Sequence, residues 1–395
     1  MFGEPKKSAA AAMFGRGGAA AMLAASRSFL LGLIDLVYNL YRRFIAQPRR
    51  NRWFSAGYGD LQSYYYAVDN AMAEWKRDGL ERYLSKPLRV TWRKIDSGDP
   101  AVLCDEGFFV SPLSRYIGVP DAVKMARFLF VRAAPGGPLP PTRSIVVHTA
   151  ATGVSTYAER DAEMARPLLA HGIASCILMA PYNGTRAPEG QRKHYIDNVA
   201  DYMKQSLAII LEGVALLRWL DRGFAVDGRS EHPAHLKLGA VGLSWGGAMA
   251  SCIALTSKLP VACMAGLGSD SPRVMATGAI NWQIDWAALQ QGGSHAEAQR
   301  ELVAIFTRLT FAHLLEYAEK PTIGSVVQVS AENDHYVFAS EGAQLHESLR
   351  RAVVPGKRAE LRWIEGGHGS AFLRCREIFV PAVVDADWWR RFRCE

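Results

Sequence analysis

Residues 241–247 read VGLSWGG, and they close an apolar run and open directly onto the helical pattern AMASCIALTS. Gly242, Leu243, Ser244, Trp245 and Gly246 therefore form G-x-S-x-G at a strand-to-helix reversal. Such a reversal brings backbone from several segments into contact, so the flanking positions favour residues without a Cβ, and the hydroxyl between them projects above the sheet edge. The helix N-terminus that follows favours negative charge developing nearby. This arrangement makes Ser244 a candidate nucleophile.

The rest of the chain is consistent with a sheet that holds such a turn. Short apolar runs recur at 88–95 (LRVTWRKI), 107–112, 125–133, 144–149 (SIVVHT), 173–180, 236–243, 261–267, 325–330 (SVVQVS) and 360–364 (ELRWI). Long helical patterns such as 197–222 separate the later ones, and the GGPLPP run at 136–141 marks a loop. Apolar strands joined by helical crossovers predict an α/β architecture with a mainly parallel twisted sheet and helices on both faces. With 395 residues, 49% of them hydrophobic, the chain is long enough to bury one large core.

A serine is a weak nucleophile until a base takes its proton and a carboxylate orients that base. In the α/β-hydrolase fold these partners follow the serine in the order acid, histidine, each after a later strand. Asp334, in the loop AENDHYV after SVVQVS, and His368, in the glycine-flanked loop EGGHGSAF after ELRWI, satisfy that order. Glu332 competes with Asp334 for the acid role, and His335 reads as loop structure. The oxyanion donors are expected to be the backbone N–H of Trp245 and one from the HTAATG stretch, at Ala150 or Ala151. His148 either props that loop or ends the strand. Tyr182 and Arg186, at the carboxyl end of the 173–180 strand, are placed either to bind substrate, Arg186 through an anionic group, or to brace the loop. Trp282, Trp286, Trp388 and Trp389 are open between core anchors and substrate walls. The chemistry needs no metal or cofactor, and no dinucleotide fingerprint or Cys/His metal spacing is present. The six cysteines read as reduced core thiols.

Charge is concentrated at the start. Of a formal net charge of +8, residues 1–53 carry nine Lys/Arg against Glu4 and Asp35. A nucleic-acid partner is not expected, since the basic residues form a tail and not a stripe on a folded body. Residues 1–28, rich in Ala, Gly and Ser, read as a disordered extension or an organellar transit peptide and not as a secretory signal. Residues 29–55 read as an amphipathic basic helix and linker, with Leu30, Ile34, Val37, Tyr41 and Phe44 on one face and Asp35 and Asn39 on the other. That apolar stripe is expected either to lie on an anionic membrane surface, through residues 29–53, or to pack on the body at 56–395.

The segments FVSPLSRY, ARFLFV, MARPLL, APYNGTRAP, LLRWLDR, GLSWGGAMAS, INW and EGGHGSAF together resemble the family of the α/β-hydrolase domain-containing protein 18. The resemblance implies a serine hydrolase with Ser244, Asp334 and His368 at the triad positions and the loop after His148 at the oxyanion position. It implies action on acyl esters of lipids, membrane association and a mitochondrial setting. The sequence departs from the family at Ala150–Ser155, where the family reads AGTGDH, and at Trp245, where Met is usual. Acyl transfer to an alcohol and a non-catalytic binding role stand as alternatives to hydrolysis.

Overall fold

The computed structural model describes residues 16–44, 52–78, 88–191, 195–226, 229–231 and 236–385. Nine strands form one sheet: β1 (Thr91–Ile95), β2 (Val102–Val110), β3 (Met125–Ala133), β4 (Ser144–Thr149), β5 (Ile173–Leu178), β6 (Lys237–Leu243), β7 (Ala262–Gly266), β8 (Ser325–Ala331) and β9 (Ala359–Ile364). Their spatial order is β1-β2-β3-β5-β4-β6-β7-β8-β9. From β5 through β4 to β9 every pairing is parallel, while β1, β2 and β3 join antiparallel at the other edge. Each of the nine apolar runs in the sequence became a strand, though β2 begins before its expected start at Gly107. The residues of β4 and β5 are buried throughout and those of β6 nearly so, as strands covered on both faces must be.

The crossover helix α3 (Val199–Asp221) is buried around almost its whole circumference. It follows α1 (Arg16–Phe44) and α2 (Leu61–Asp78) in the chain and packs between α2 and α4 (Trp245–Thr256). Asn198 caps its start by accepting from the Asp201 N–H at 2.8 Å. Between β7 and β8 the chain folds into short helices, including His295–Thr307 and Phe311–Glu316, the second of which packs on α4. Three further helices close the chain: α5 (Ala339–Ala352), α6 (His368–Leu373) and α7 (Cys375–Val384).

The N-terminal helix does not pack on the body through its apolar stripe. It begins at Arg16, inside the segment read as an extension, and packs on α6. The residues it buries are Leu31 and Asp35, the latter assigned by periodicity to the outer face. Leu30, Val37 and Tyr41 of the apolar stripe are exposed together with Phe29, Leu33, Leu36 and Leu40. Periodicity finds the faces of a helix but not which is sunk, and here backbone donors at the start of α6 draw the carboxylate inward. None of the helices among the described residues is long and apolar enough to cross a membrane. The basic residues at 49 and 50 lie outside the described residues.

Candidate active site

Ser244 stands between β6 and α4 with φ 57° and ψ −126°, a conformation that residues other than glycine rarely adopt. The turn is fixed by its neighbours: the Ser244 N–H donates to the Gly266 carbonyl at 2.7 Å and the Gly247 N–H to the Ser244 carbonyl at 2.8 Å. A Cβ on Gly242 would lie 2.2 Å from the Gly246 carbonyl oxygen, and one on Gly246 2.8 Å from that of Ala150. Neither position leaves room for a side chain, nor does Gly247, where a Cβ would lie 2.6 Å from the Gly266 carbonyl oxygen. Thr149 ties the end of β4 to the turn, its hydroxyl donating to the Gly246 carbonyl at 2.6 Å.

His368 Nε2 lies 3.0 Å from Ser244 Oγ, and its Nδ1 lies 2.6 Å from Asp334 Oδ2. The acid's other oxygen accepts from the backbone N–H groups of Tyr336 at 2.7 Å and Val337 at 3.0 Å. An ionised carboxylate can only accept, so the Nδ1 that faces it carries the proton and Nε2 faces the serine as acceptor. Asp334 and His368 are both buried, and Ser244 is half-buried. The competitor Glu332 and the neighbouring His335 point to solvent. His368 itself is not on a mobile loop, as its flanking glycines suggested. It opens α6, with its ring against Tyr336 at 4.9 Å and Phe372 at 5.4 Å between centroids.

Trp245 is the first residue of α4, and Ala150 and Ala151 are buried where β4 ends, with the Ala150 carbonyl against Gly246. The structure thus brings both expected oxyanion segments to the same turn as Ser244.

Of the roles left open for Arg186, Tyr182 and His148, their surroundings support the structural one over substrate contact. Arg186 is fully buried, paired with Glu212 at 2.7 and 2.8 Å, and donates to the carbonyls of Met179 and Val123. A guanidinium so paired and fully buried braces its loop and is closed off from a substrate anion. Tyr182 is buried with φ 58°, its hydroxyl 3.4 Å from Asp201 Oδ1. His148 lies inside the sheet with Nε2 3.0 Å from Ser175 Oγ, and burial, then the nearby Arg160, push its pKa down to about 3. It remains a neutral prop of the β4 end.

Beside α4 opens a cleft whose walls include Tyr202, Met203, Trp245, Met249 and Phe306. Tyr202 stacks on Phe306 at 5.4 Å and meets Trp245 at 5.6 Å. Asp270, at the polar end of the cleft, is buried, and burial pushes its pKa up to about 6 despite the Ala312 N–H donated to it at 2.8 Å. Trp286 is anchored through its indole N–H to Asn281, while Trp388 and Trp389 lie outside the described residues. The five described cysteines are free and buried, and among the described residues no His, Cys, Asp and Glu cluster is placed to hold a metal ion.

Two contributors escaped the sequence reading. Thr149 carries no signal beyond its place in HTAATG. Asp35 does carry one: it is the sole acid in the helix from Arg16 to Phe44. Its carboxylate accepts from the Gly367 N–H at 2.7 Å and the Ser370 N–H at 2.8 Å, on either side of His368.

A parallel sheet with an antiparallel edge, a strained serine at a strand-to-helix turn, and the chain order Ser244, Asp334, His368 define an α/β-hydrolase fold. The family model described as alpha/beta hydrolase domain containing 18 matches residues 51–309, and the chain belongs to that family. Solved structures are similar in fold. An acetyl xylan esterase from Paenibacillus sp. is 13% identical with a TM-score of 0.50, over 84% of this chain and 99% of that one. Acetyl xylan esterase 1 from Thermoanaerobacterium sp. is 14% identical with a TM-score of 0.49, over 82% of this chain and 93% of that one.

Proposed function

We propose that the protein is a serine hydrolase that cleaves a carboxylic ester through an acyl-Ser244 intermediate. The observation that carries this reading is the continuous hydrogen-bonded chain from Ser244 Oγ through His368 to Asp334. In the first half-reaction the Ser244 hydroxyl gives its proton to His368 Nε2 as Oγ attacks the ester carbonyl carbon. The imidazolium that forms is stabilised by the Asp334 carboxylate. The Trp245 N–H and the loop at Ala150 and Ala151 receive the oxyanion. Collapse of the tetrahedral intermediate expels the alcohol, which takes the proton from His368. Water then gives a proton to the same nitrogen, attacks the acyl carbon, and releases the carboxylic acid and free Ser244.

The ester belongs to a lipid. Apolar and aromatic walls beside Trp245 suit an acyl chain, and the apolar face of α1 from Phe29 to Tyr41 suits contact with a lipid surface. Arg42, Arg43, Arg49, Arg50 and Arg52, which follow that face in the chain, favour an anionic one.

The test is fluorophosphonate labelling of wild type, Ser244→Ala and His368→Ala, read by the mass of the labelled peptide. Label on Ser244 that disappears in both variants is expected; equal hydrolysis of short acyl esters by Ser244→Ala and wild type would falsify the mechanism. For the lipid contact, co-sedimentation with anionic vesicles is expected to fall in Leu33→Asp/Leu36→Asp, and unchanged binding rules that contact out.

A further inference from the structure

Gly367, the residue before helix α6, has no side chain to cap it, and the first amides of any helix lack intrahelical acceptors. Beside the Ser370 hydroxyl, which accepts from the Gly367 N–H at 3.0 Å, a second acceptor comes from far away in sequence. Asp35 Oδ2 accepts from the Gly367 N–H at 2.7 Å and from the Ser370 hydroxyl at 2.8 Å, and Oδ1 accepts from the Ser370 N–H at 2.8 Å. The carboxylate is buried and its bonds straddle His368.

The rest of the contact surface reinforces this clamp. Tyr38, one turn along α1, lies against Gly369, where a Cβ would stand 2.6 Å from its ring. Leu31 lies against Gly366, and Ser28 and Arg27 both reach Glu365. Tyr38 also meets Tyr336 at 6.2 Å, and Tyr336 packs on the His368 ring. One helix therefore touches both the turn that carries the histidine and the loop that carries its acid.

We propose that Asp35 is a positioning residue for His368, and that α1 is in this sense part of the active site. The proposal rests on the Ser244–His368–Asp334 reading above. Gly366, with φ 97°, and Gly367 give the segment before His368 wide backbone freedom, which would let the imidazole drift from the serine. Three hydrogen bonds to an ionised acceptor remove that freedom from the turn, and small displacements of a catalytic group are costly in rate. Asp35 touches neither substrate nor serine; it acts through the backbone on both sides of the histidine.

The experiment uses the full chain as wild type, Asp35→Ala, Asp35→Asn and Ser370→Ala, with folding checked by circular dichroism. The rate of fluorophosphonate attachment to Ser244 is followed against reagent concentration, which separates the maximal rate from the half-saturating concentration. For Asp35→Ala the maximal rate is expected to fall by about tenfold or more with little change in half-saturation. Asn retains one acceptor oxygen and is expected to restore much of the loss, as Asn replaces Asp well at helix starts. Ser370→Ala, which deletes one of the three bonds to Asp35 together with the hydroxyl's own contacts to the Gly367 amide and carbonyl, is expected to slow attachment by about twofold to fivefold. Folded Asp35→Ala that reacts at the wild-type maximal rate overturns the proposal. If Asp35→Ala does not fold, wild-type maximal rates in both Asp35→Asn and Ser370→Ala overturn it. Wild type that takes no label on Ser244 brings down the nucleophile reading, and the positioning role with it.

Discussion

Asp334 meets His368 through one oxygen, at 2.6 Å from Nδ1, while its other oxygen is held by the amides of Tyr336 and Val337. The carboxylate is thus unable to swing, and the imidazole tautomer follows from it. In Asp334→Asn the amide oxygen can still serve the two backbone donors, which leaves an –NH₂ group facing Nδ1. That forces the ring proton to Nε2 and removes the acceptor that Ser244 needs. Hydrolysis of p-nitrophenyl acetate is expected to lose on the order of 10³–10⁴ in kcat with KM little changed. A loss of less than tenfold would assign the acid role elsewhere.

Arg186 and Glu212 form a buried ion pair far from the serine's own hydrogen bonds. Glu212 also accepts from the Ser111 hydroxyl at 2.5 Å. Arg186→Ala leaves a buried carboxylate without its cation, which is expected to cost about 3–5 kcal/mol in urea unfolding. The folded fraction should keep the wild-type KM for short esters. A raised KM with unchanged stability would return Arg186 to the substrate site.

At Gly242 the added Cβ of alanine would press on backbone at 2.2 Å and on the Thr149 hydroxyl at 2.3 Å. No rotamer relieves a clash with a carbonyl oxygen. Gly242→Ala is expected to destabilise by about 3 kcal/mol or more, seen as a lower thermal midpoint or as insoluble protein. A midpoint equal to wild type would mean that the turn is looser than its hydrogen bonds imply.

Asp270 has a pKa raised from 3.8 to about 6, chiefly by burial. A carboxyl whose folded pKa lies above its unfolded one holds its proton longer in the native state. Its contribution to stability is therefore greatest below pH 3.8, falls as pH rises toward 6, and is lost above it. Asp270→Asn cannot ionise. Relative to wild type it is expected to gain up to about 3 kcal/mol between pH 4 and pH 7, measured by urea unfolding across that range. A difference that does not change with pH would place the ionisation elsewhere.

The sheet was legible because its strands are covered on both faces and so appear as unbroken apolar runs, SIVVHT and SVVQVS among them. The positions of Ser244, Asp334 and His368 followed from the order of those strands. What escaped was set by long-range pairing. Glu212 takes up Arg186 from the middle of a helix, and Ser175 takes up His148 from a neighbouring strand. Neither partnership leaves a periodic trace. The buried acid of α1 escaped for the same reason, since Asp35 looks like a solvent residue until the amides at Gly367 and Ser370 are known.

The clamp on His368 joins positions 35 and 367, which are 332 residues apart. At a synthesis rate of about 5–20 residues per second, the ribosome needs on the order of 20–60 s to make the chain between them. Through that interval the helix has no partner for its buried acid, and its apolar face is already made. The histidine turn is among the last contacts to form, so the nascent chain is complete in most of its sheet before it is competent to react. On the proposed mechanism, reactivity at Ser244 would therefore arrive as a late event in the life of each molecule, and a chain truncated before Gly367 should be chemically silent.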